Sequence, residues 1–162
     1  MRTWRKFGNG ALAATSALVL LLAVSTGTAG AYYLFKRFVP LHDVRNTGAS
    51  GEALIDYYGS QMPGERVVGI NTYGLKPSSV YTVWLTNPAT PYGNAIRRAL
   101  GIDSNYFRTD GAGNGRYVTT ANEDDLQGWR FLDIDYNPDG NPKNTKDMIT
   151  ILRGDMVYGY HY

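Results

Sequence analysis

The chain has 162 residues, of which 16 are basic and 14 acidic, giving a formal net charge of +2. Five of the basic residues and none of the acidic ones lie within residues 1–37, so residues 38–162 carry 11 basic and 14 acidic residues, a net charge of −3. This mildly acidic composition argues against a nucleic-acid-binding role. The lack of cysteine excludes disulfides, thiolate metal sites and thiol nucleophiles.

An uncharged run of 29 residues, from 7 to 35, dominates the start of the chain. As an α-helix it would extend about 43 Å, more than the ~30 Å hydrocarbon core of a bilayer. Basic residues flank the run on both sides, and aromatic residues stand where an interfacial belt belongs, at Tyr32, Tyr33 and Phe35. The sequence therefore predicts a single transmembrane anchor helix within residues 1–37.

A cleaved secretory signal is the alternative interpretation, since Ala29-Gly30-Ala31 fits a small-residue cleavage site. Both interpretations send residues 38–162 across the membrane. For an anchor in the inner (cytoplasmic) membrane, the basic residues before the span predict a cytoplasmic N-terminus and a periplasmic or extracellular C-terminal domain. Small residues would let other spans pack closely against the helix, at Gly8, Gly10, Ala14, Gly27 and Gly30.

Residues 38–50 are predicted to be a linker or an irregular leading strand, and residues 51–162 an exported β domain. Tyr, Val, Thr and glycine-rich turns favour strands, which are predicted at residues 53–58, 66–73, 80–86, 106–109, 116–120, 129–136, 148–152 and 156–162. The strand over residues 80–86 is apolar on both faces, which is typical of a central strand. The spacing of the turns predicts an antiparallel β-sandwich of seven or eight strands.

Three connections have patterns of their own. Residues 94–100 predict two helical turns ended by Gly101. Residues 110–115 resemble a phosphate-binding glycine loop, but a strand follows them where such a loop would open a helix, so they predict a hairpin tip. Residues 121–128 predict a polar connection with room for one helical turn.

One segment has the spacing of a cation site. Asp135, Asn137 and Asp139, followed by Gly140, match the first half of an EF-hand-type calcium loop. The second half does not match, because Lys146 stands where a bidentate Glu is needed. The alternative is a polar surface loop, since Asp, Asn, Pro and Gly also make turns. Calcium is the one candidate cofactor.

The sequence offers no recognisable catalytic set. The two histidines, His42 and His161, lie at opposite ends of the domain and are predicted to be solvent-exposed. The acidic pair Asp133 and Asp135 is predicted to be solvated charge. No Ser/His/Asp pattern is legible, so we expect the protein not to be an enzyme.

Tyrosine is abundant after residue 37, with 11 copies beside two tryptophans. Tyrosine is enriched at interfaces because it offers a large contact area at low entropic cost. The tail places three tyrosines on one face of a predicted terminal strand, at Tyr158, Tyr160 and Tyr162. They are predicted partner contacts, unless they cover the domain's own sheet.

The string from Gly74 to Leu85 (GLKPSSVYTVWL), followed by Thr109 to Gly115 (TDGAGNG), resembles a pattern in exported bacterial β-sandwich domains. These include superoxide-dismutase-like and immunoglobulin-like sandwiches and the outer domains of anti-sigma factors. The resemblance spans about residues 50–155 and implies only the fold. The His-x-His ligand pairs of the dismutases are missing, and the residues before the span are too few for a sigma-binding domain.

These features together predict a non-catalytic accessory subunit of a membrane protein complex, with photosynthetic and respiratory assemblies as the expected setting. Its helix would pack against other spans and its exported domain would brace partner subunits. The alternatives are an extracellular filament or surface-layer subunit, and a calcium-dependent or carbohydrate-binding module.

Overall fold

A computed structural model describes residues 36–56, 64–89, 91, 95–101 and 104–156. The chain divides into two units, residues 1–34 and 35–162, and every described residue belongs to the second. The described part is mainly β, as predicted. It contains the strands β1 (Lys36–Asp43), β2 (Ser50–Asp56), β3 (Glu65–Tyr73), β4 (Val80–Asn87), β5 (Ile96–Ala99), β6 (Tyr106–Arg108), β7 (Gly115–Asn122), β8 (Phe131–Asn137) and β9 (Ile149–Asp155), with the single-turn helix α1 (Glu123–Leu126).

The strands form one curled antiparallel sheet in the order β5-β4-β8-β9-β1-β2-β3-β7, with β6 also beside β4. Strand β1 makes the sheet continuous. Its residues 36–41 pair with β2, whereas His42 and Asp43 pair with β9. The predicted antiparallel β fold is therefore confirmed, but the strands form a half-barrel rather than two sheets with separate hydrogen bonding.

Alternate residues of the strands form the core. On β1 these are Val39 and Leu41, and on β8 they are Leu132 and Ile134, all buried. Strand β4 contributes Tyr81, Val83 and Leu85 to the same cluster. Most residues on the other face of β4 are buried as well, which confirms the prediction that this strand is central.

The segment between β5 and β6 connects the two edges of the curled sheet. Two backbone hydrogen bonds hold the ends of this segment against Val83 of β4, one from Leu100 N to Val83 O and one from Val83 N to Asn105 O. The Tyr117 hydroxyl on β7 lies 2.7 Å from the Leu100 carbonyl oxygen. Phe107 on β6 packs against Tyr117, with ring centroids 6.4 Å apart, so β6 and β7 approach each other without pairing.

The helix predicted at residues 94–100 is wrong, because residues 96–99 form β5, which pairs with residues 84–87 of β4. The edge of β4 offers unpaired backbone groups there, and filling them outweighs a weak helical preference. Residues 38–50 hold the second half of β1 and a bend at 44–48. The helical turn predicted within residues 121–128 is confirmed as α1. Of the last predicted strand, residues 156–162, only Met156 is described, and it is buried.

The turn predicted at residues 110–115 is confirmed, but the predicted hairpin is wrong, because β6 pairs with β4 and β7 pairs with β3. Asp110 Oδ1 accepts hydrogen bonds from the N–H groups of Asn114 and Ala112, at 2.8 and 2.9 Å, and these bonds hold the pKa of Asp110 below its usual value. Gly113 has a φ of +82°, and a Cβ there would lie 2.1 Å from the Leu75 carbonyl oxygen. The Leu75 N–H donates to the Gly113 carbonyl, so a hydrogen bond joins the turn at residues 110–115 to the segment before β4.

No helix among the described residues is long and apolar enough to cross a membrane. Residues 1–35 of the predicted anchor segment, with its small and aromatic interface residues, lie outside the described range, whereas its basic flank Lys36 and Arg37 belongs to β1.

Substituting Gly113→Ala should destabilise the domain by about 2–4 kcal/mol, because it combines backbone strain with a collision against a backbone carbonyl. The matched control is Gly111→Ala in the same turn, since a Cβ at Gly111 meets nothing within 4 Å. This variant should stay within about 0.5 kcal/mol of the parent chain. Urea unfolding of the full chain in mild detergent measures both, and equal losses would contradict the packing of the turn.

Candidate functional site

The outer face of β4 and β8 carries buried polar side chains. Because side chains alternate along a strand, Asp133, Asp135 and Asn137 of β8 point away from the core. Both aspartates are fully buried, so the prediction that they are solvated charges is wrong. Neighbouring strands cover them with side chains that the sequence does not place next to them.

Asp133 is held by three hydrogen bonds. Its carboxylate accepts a bidentate pair from Arg153 on β9, with Nε–Oδ1 and Nη2–Oδ2 distances of 2.7 and 2.8 Å. The Thr86 hydroxyl of β4 donates to Oδ2 at 2.9 Å. The Arg153 guanidinium also lies 4.6 Å from the Phe131 ring centroid. The Asp133 carboxylate and the Phe131 ring together therefore fix the position of Arg153.

Asp135 has a less complete set of partners. Its Oδ2 accepts a hydrogen bond from Arg97 Nη1 of β5 at 3.0 Å, while Oδ1 is buried and has no hydrogen-bond partner among the described residues. Burial raises the pKa of Asp135, against the opposing effects of the Thr150 side chain and the Arg97 charge. Arg97 lies over the ring of Trp84, 5.6 Å from its centroid.

A small cleft of about 90 Å³ opens beside these groups, between the end of β4, β5 and the start of β8. It is lined by Thr86, Ile96, Arg97, Phe131, Asp133 and Arg153, among others. The side chains of Arg97 and Arg153 are 43% and 40% exposed, whereas those of their carboxylate partners are 1% exposed. The surface therefore presents two fixed guanidinium groups over buried acids. We call the group Trp84, Arg97, Phe131 and Arg153 the β4–β8 outer face; Ile96, the neighbour of Arg97 on β5, lies on the opposite side of that strand and lines the cleft at the edge of this face.

The structure does not gather the three candidate calcium ligands around one point. Asp135 pairs with Arg97. Asn137 is buried: its Oδ1 accepts from the Thr82 hydroxyl and its Nδ2 donates to the carbonyl oxygens of Asn141 and Asn144.

Asp139, the third candidate, accepts the Asn144 side-chain amide and the Asn141 N–H. The described part of the chain contains no group of three or more His, Cys, Asp or Glu side chains that could hold a metal ion. Calcium binding stays a prediction.

The remaining candidates divide between described and undescribed residues. His42 is exposed at the β1–β9 junction, as predicted. His161 and the predicted partner contacts Tyr158, Tyr160 and Tyr162 lie outside the described range. Sequence reasoning did not find Arg97 and Arg153. The available signal was the alternation in residues 132–137, where apolar residues take one face and acids or an amide take the other.

Comparison with protein-family models, with curated proteins and with solved structures finds no match for this chain.

Replacing Asp135 by Asn should change how stability depends on pH. A raised folded-state pKa means that the folded chain binds more protons than the unfolded chain, so the contribution of Asp135 to stability is lost as pH rises from about 4 through that pKa. The free energy of unfolding of the parent, relative to Asp135→Asn, should therefore fall between about pH 4 and pH 7.

Asp139→Asn is the matched control with the opposite sign. The Asn144 and Asn141 hydrogen bonds lower the pKa of the exposed Asp139, so its contribution is present above about pH 4 and is lost as pH falls. Urea unfolding between about pH 3 and pH 7 measures both variants. The same slope in the two series would contradict the burial of Asp135.

Proposed function

We propose that this chain is a non-catalytic accessory subunit of a membrane protein complex. In this proposal residues 1–37 anchor it in the inner membrane with the N-terminus in the cytoplasm. The β domain lies on the periplasmic or extracellular side and braces neighbouring subunits. Photosynthetic and respiratory assemblies are the proposed setting, by analogy with the small single-span subunits such complexes contain.

The β4–β8 outer face is the observation that supports a binding role. Arginine, tryptophan and other aromatic residues dominate the energetics of protein interfaces. Here Arg97 lies over Trp84 and Arg153 lies over Phe131. Ile96 lines the cleft at the edge of this face and is 57% exposed, so a partner that covers the face and its edge strand would also cover an apolar residue.

The buried acids support the same role. An arginine on a free surface loses side-chain entropy when a partner orders it, at about 0.5–1.5 kcal/mol for each ordered side chain. Asp133 and Asp135 hold Arg153 and Arg97 before any partner arrives. With both its oxygens accepting hydrogen bonds, Asp133 is suited to positioning Arg153 rather than to accepting a substrate proton.

The opposite edge of the sheet offers a contrast. Val118 on β7 is 56% exposed, almost as much as Ile96. The outward-facing row around it consists of Arg116 and Thr120, without an aromatic residue. For these reasons the proposal assigns partner binding to the β4–β8 outer face, with the tail residues Tyr158, Tyr160 and Tyr162 as further proposed contacts.

A sandwich-like arrangement of the domain is part of the proposal. Strands β1, β2, β3 and β7 form one half of the curled sheet, and β9, β8, β4 and β5 form the other. Side chains from both halves belong to a single core cluster. This supports the proposed likeness to exported β-sandwich domains, with β1 as the bridge between layers.

Substituting Ile96→Lys tests the proposed interface, because it replaces an exposed apolar residue at the edge of the face by a positive charge and leaves the core untouched. The tagged full chain is extracted from its native membrane in mild detergent, and co-purifying subunits are quantified. We expect at least a tenfold loss for Ile96→Lys, equivalent to about 1.4 kcal/mol or more.

Val118→Lys is the matched control, since it places the same charge at an equally exposed aliphatic position on the other edge. It should retain its partners, and both variants should unfold within about 0.5 kcal/mol of the parent. Equal retention by the two variants, a chain that purifies alone, or a polymer of this chain would contradict the proposal.

A further inference from the structure

Three inward-facing rows of the curled sheet end in arginine at the same end of the domain. The rows are Arg37-Val39-Leu41 on β1, Arg66-Val68-Ile70 on β3, and Arg130-Leu132-Ile134 at the start of β8. Because residues i, i+2 and i+4 of a strand share one face, Arg37 and Arg66 follow the direction of the buried residues after them, whereas Arg130, just before β8, is exposed and its guanidinium lies 5.2 Å from the Phe131 ring centroid. We call the opening that Arg37, Arg66 and Arg130 line the arginine mouth.

The arginine mouth is a cavity of about 500 Å³. Its floor is apolar, made by Ile55 of β2, Leu126 of α1 and Met156, all buried. Trp129 forms part of the wall, with its indole N–H donating to the Asp125 carbonyl oxygen at 3.0 Å. The volume is in the range of small-molecule sites, roughly 300–1,000 Å³.

The positive charge of the arginine mouth is not neutralised by acidic residues in its lining. Glu123 is the one acidic side chain among the described lining residues, and it forms an ion pair with Arg66. In the described part of the chain, no ion pair joins Arg37 or Arg130 to a carboxylate. Arg37 therefore faces the cavity, and Arg130 lies at its rim, without a carboxylate partner in the lining.

Arg37 carries a further sign of a missing partner. Its Nε is buried and makes no hydrogen bond with any described residue. A buried donor without an acceptor destabilises the folded chain, and more so when it is charged. An anion in the cavity would remove that destabilisation, because phosphate oxygens accept charge-assisted hydrogen bonds from guanidinium groups.

We infer that the arginine mouth binds a phosphate ester that carries an apolar group. The phosphate would lie between Arg37 and Arg130, and the apolar part would cover Ile55, Leu126 and Met156. A fully polar anion would leave this floor exposed to water, so the pairing of cations with an apolar floor selects an amphiphile.

A membrane phospholipid with net negative charge is the source we assign, and only this assignment rests on the proposed anchor. Arg37 stands two positions after Phe35, the last residue of the uncharged run. At about 3.3–3.6 Å per residue, that is no more than roughly 7 Å of chain. A soluble phosphate amphiphile has the same binding chemistry, and the test below distinguishes the two sources.

The test titrates the full chain, in a non-ionic detergent, with dihexanoyl phosphatidylglycerol and follows the bound lipid by native mass spectrometry. Arg37→Gln and Arg130→Gln should each weaken binding at least tenfold. Arg116→Gln is the matched control, because Arg116 is exposed on β7 and outside the cavity lining. It should change affinity less than about twofold, and all three variants should keep the parent unfolding midpoint.

Competing ligands test the chemical class. Dihexanoyl phosphatidylcholine, which has the same apolar chains and no net charge, should bind at least tenfold more weakly. Inorganic phosphate at the same concentration should not displace phosphatidylglycerol. The inference is wrong if phosphate competes equally, if the two lipids bind alike, or if Arg37→Gln and Arg116→Gln have equal effects.

The source is tested on chain extracted from its native membrane. A retained anionic phospholipid that is absent from the Arg37→Gln variant supports the membrane source, whereas a retained soluble phosphate ester overturns it. Ile96→Lys should leave phosphatidylglycerol affinity unchanged. A failure of partner binding and a failure of lipid binding are therefore separate results.

Discussion

Burial of strand β4 on both faces is the constraint on which the surrounding structure depends. Its inner face packs against apolar rows from the other strands. Its outer face carries Thr82 and Thr86, whose hydroxyl groups lose water wherever that face is covered. Buried polar groups without hydrogen bonds are costly. Strand β8 supplies the acceptors, because Asn137 accepts from Thr82 and Asp133 accepts from Thr86.

Carboxylates placed there need cations in turn, and these come from the strands on either side. Arg153 of β9 satisfies Asp133, and Arg97 of β5 partly satisfies Asp135. Strand β5 has only four residues, all exposed, so the Arg97–Asp135 ion pair and the contact of Arg97 with Trp84 reinforce its backbone pairing with β4. The edge of the sheet and the proposed binding face thus share one set of interactions.

The parts of the fold that could be predicted from sequence depend on residues close together in the chain. The central position of β4 follows from apolar residues on both faces within eight residues, and the turn between β6 and β7 from Asp110 and glycines within six. The burial of Asp133 could not be predicted, because its partners Arg153 and Thr86 are 20 and 47 residues away. An aspartate in a strand is equally compatible with water on its face. Only the order of the strands in the sheet determines whether such an aspartate is buried or solvated.

Arginines serve the two surfaces differently, and the difference lies in what neutralises them. On the β4–β8 outer face, Arg97 and Arg153 each have a buried carboxylate behind them, so this face presents shape and contact area with little net field. In the arginine mouth, Arg37 and Arg130 have no carboxylate partner among the described residues. Residues 35–162 hold 14 acidic and 13 basic residues, so the domain as a whole does not attract anions. A concave site with low-dielectric walls concentrates its own potential, and an anion drawn to this domain would therefore be drawn to that one cavity.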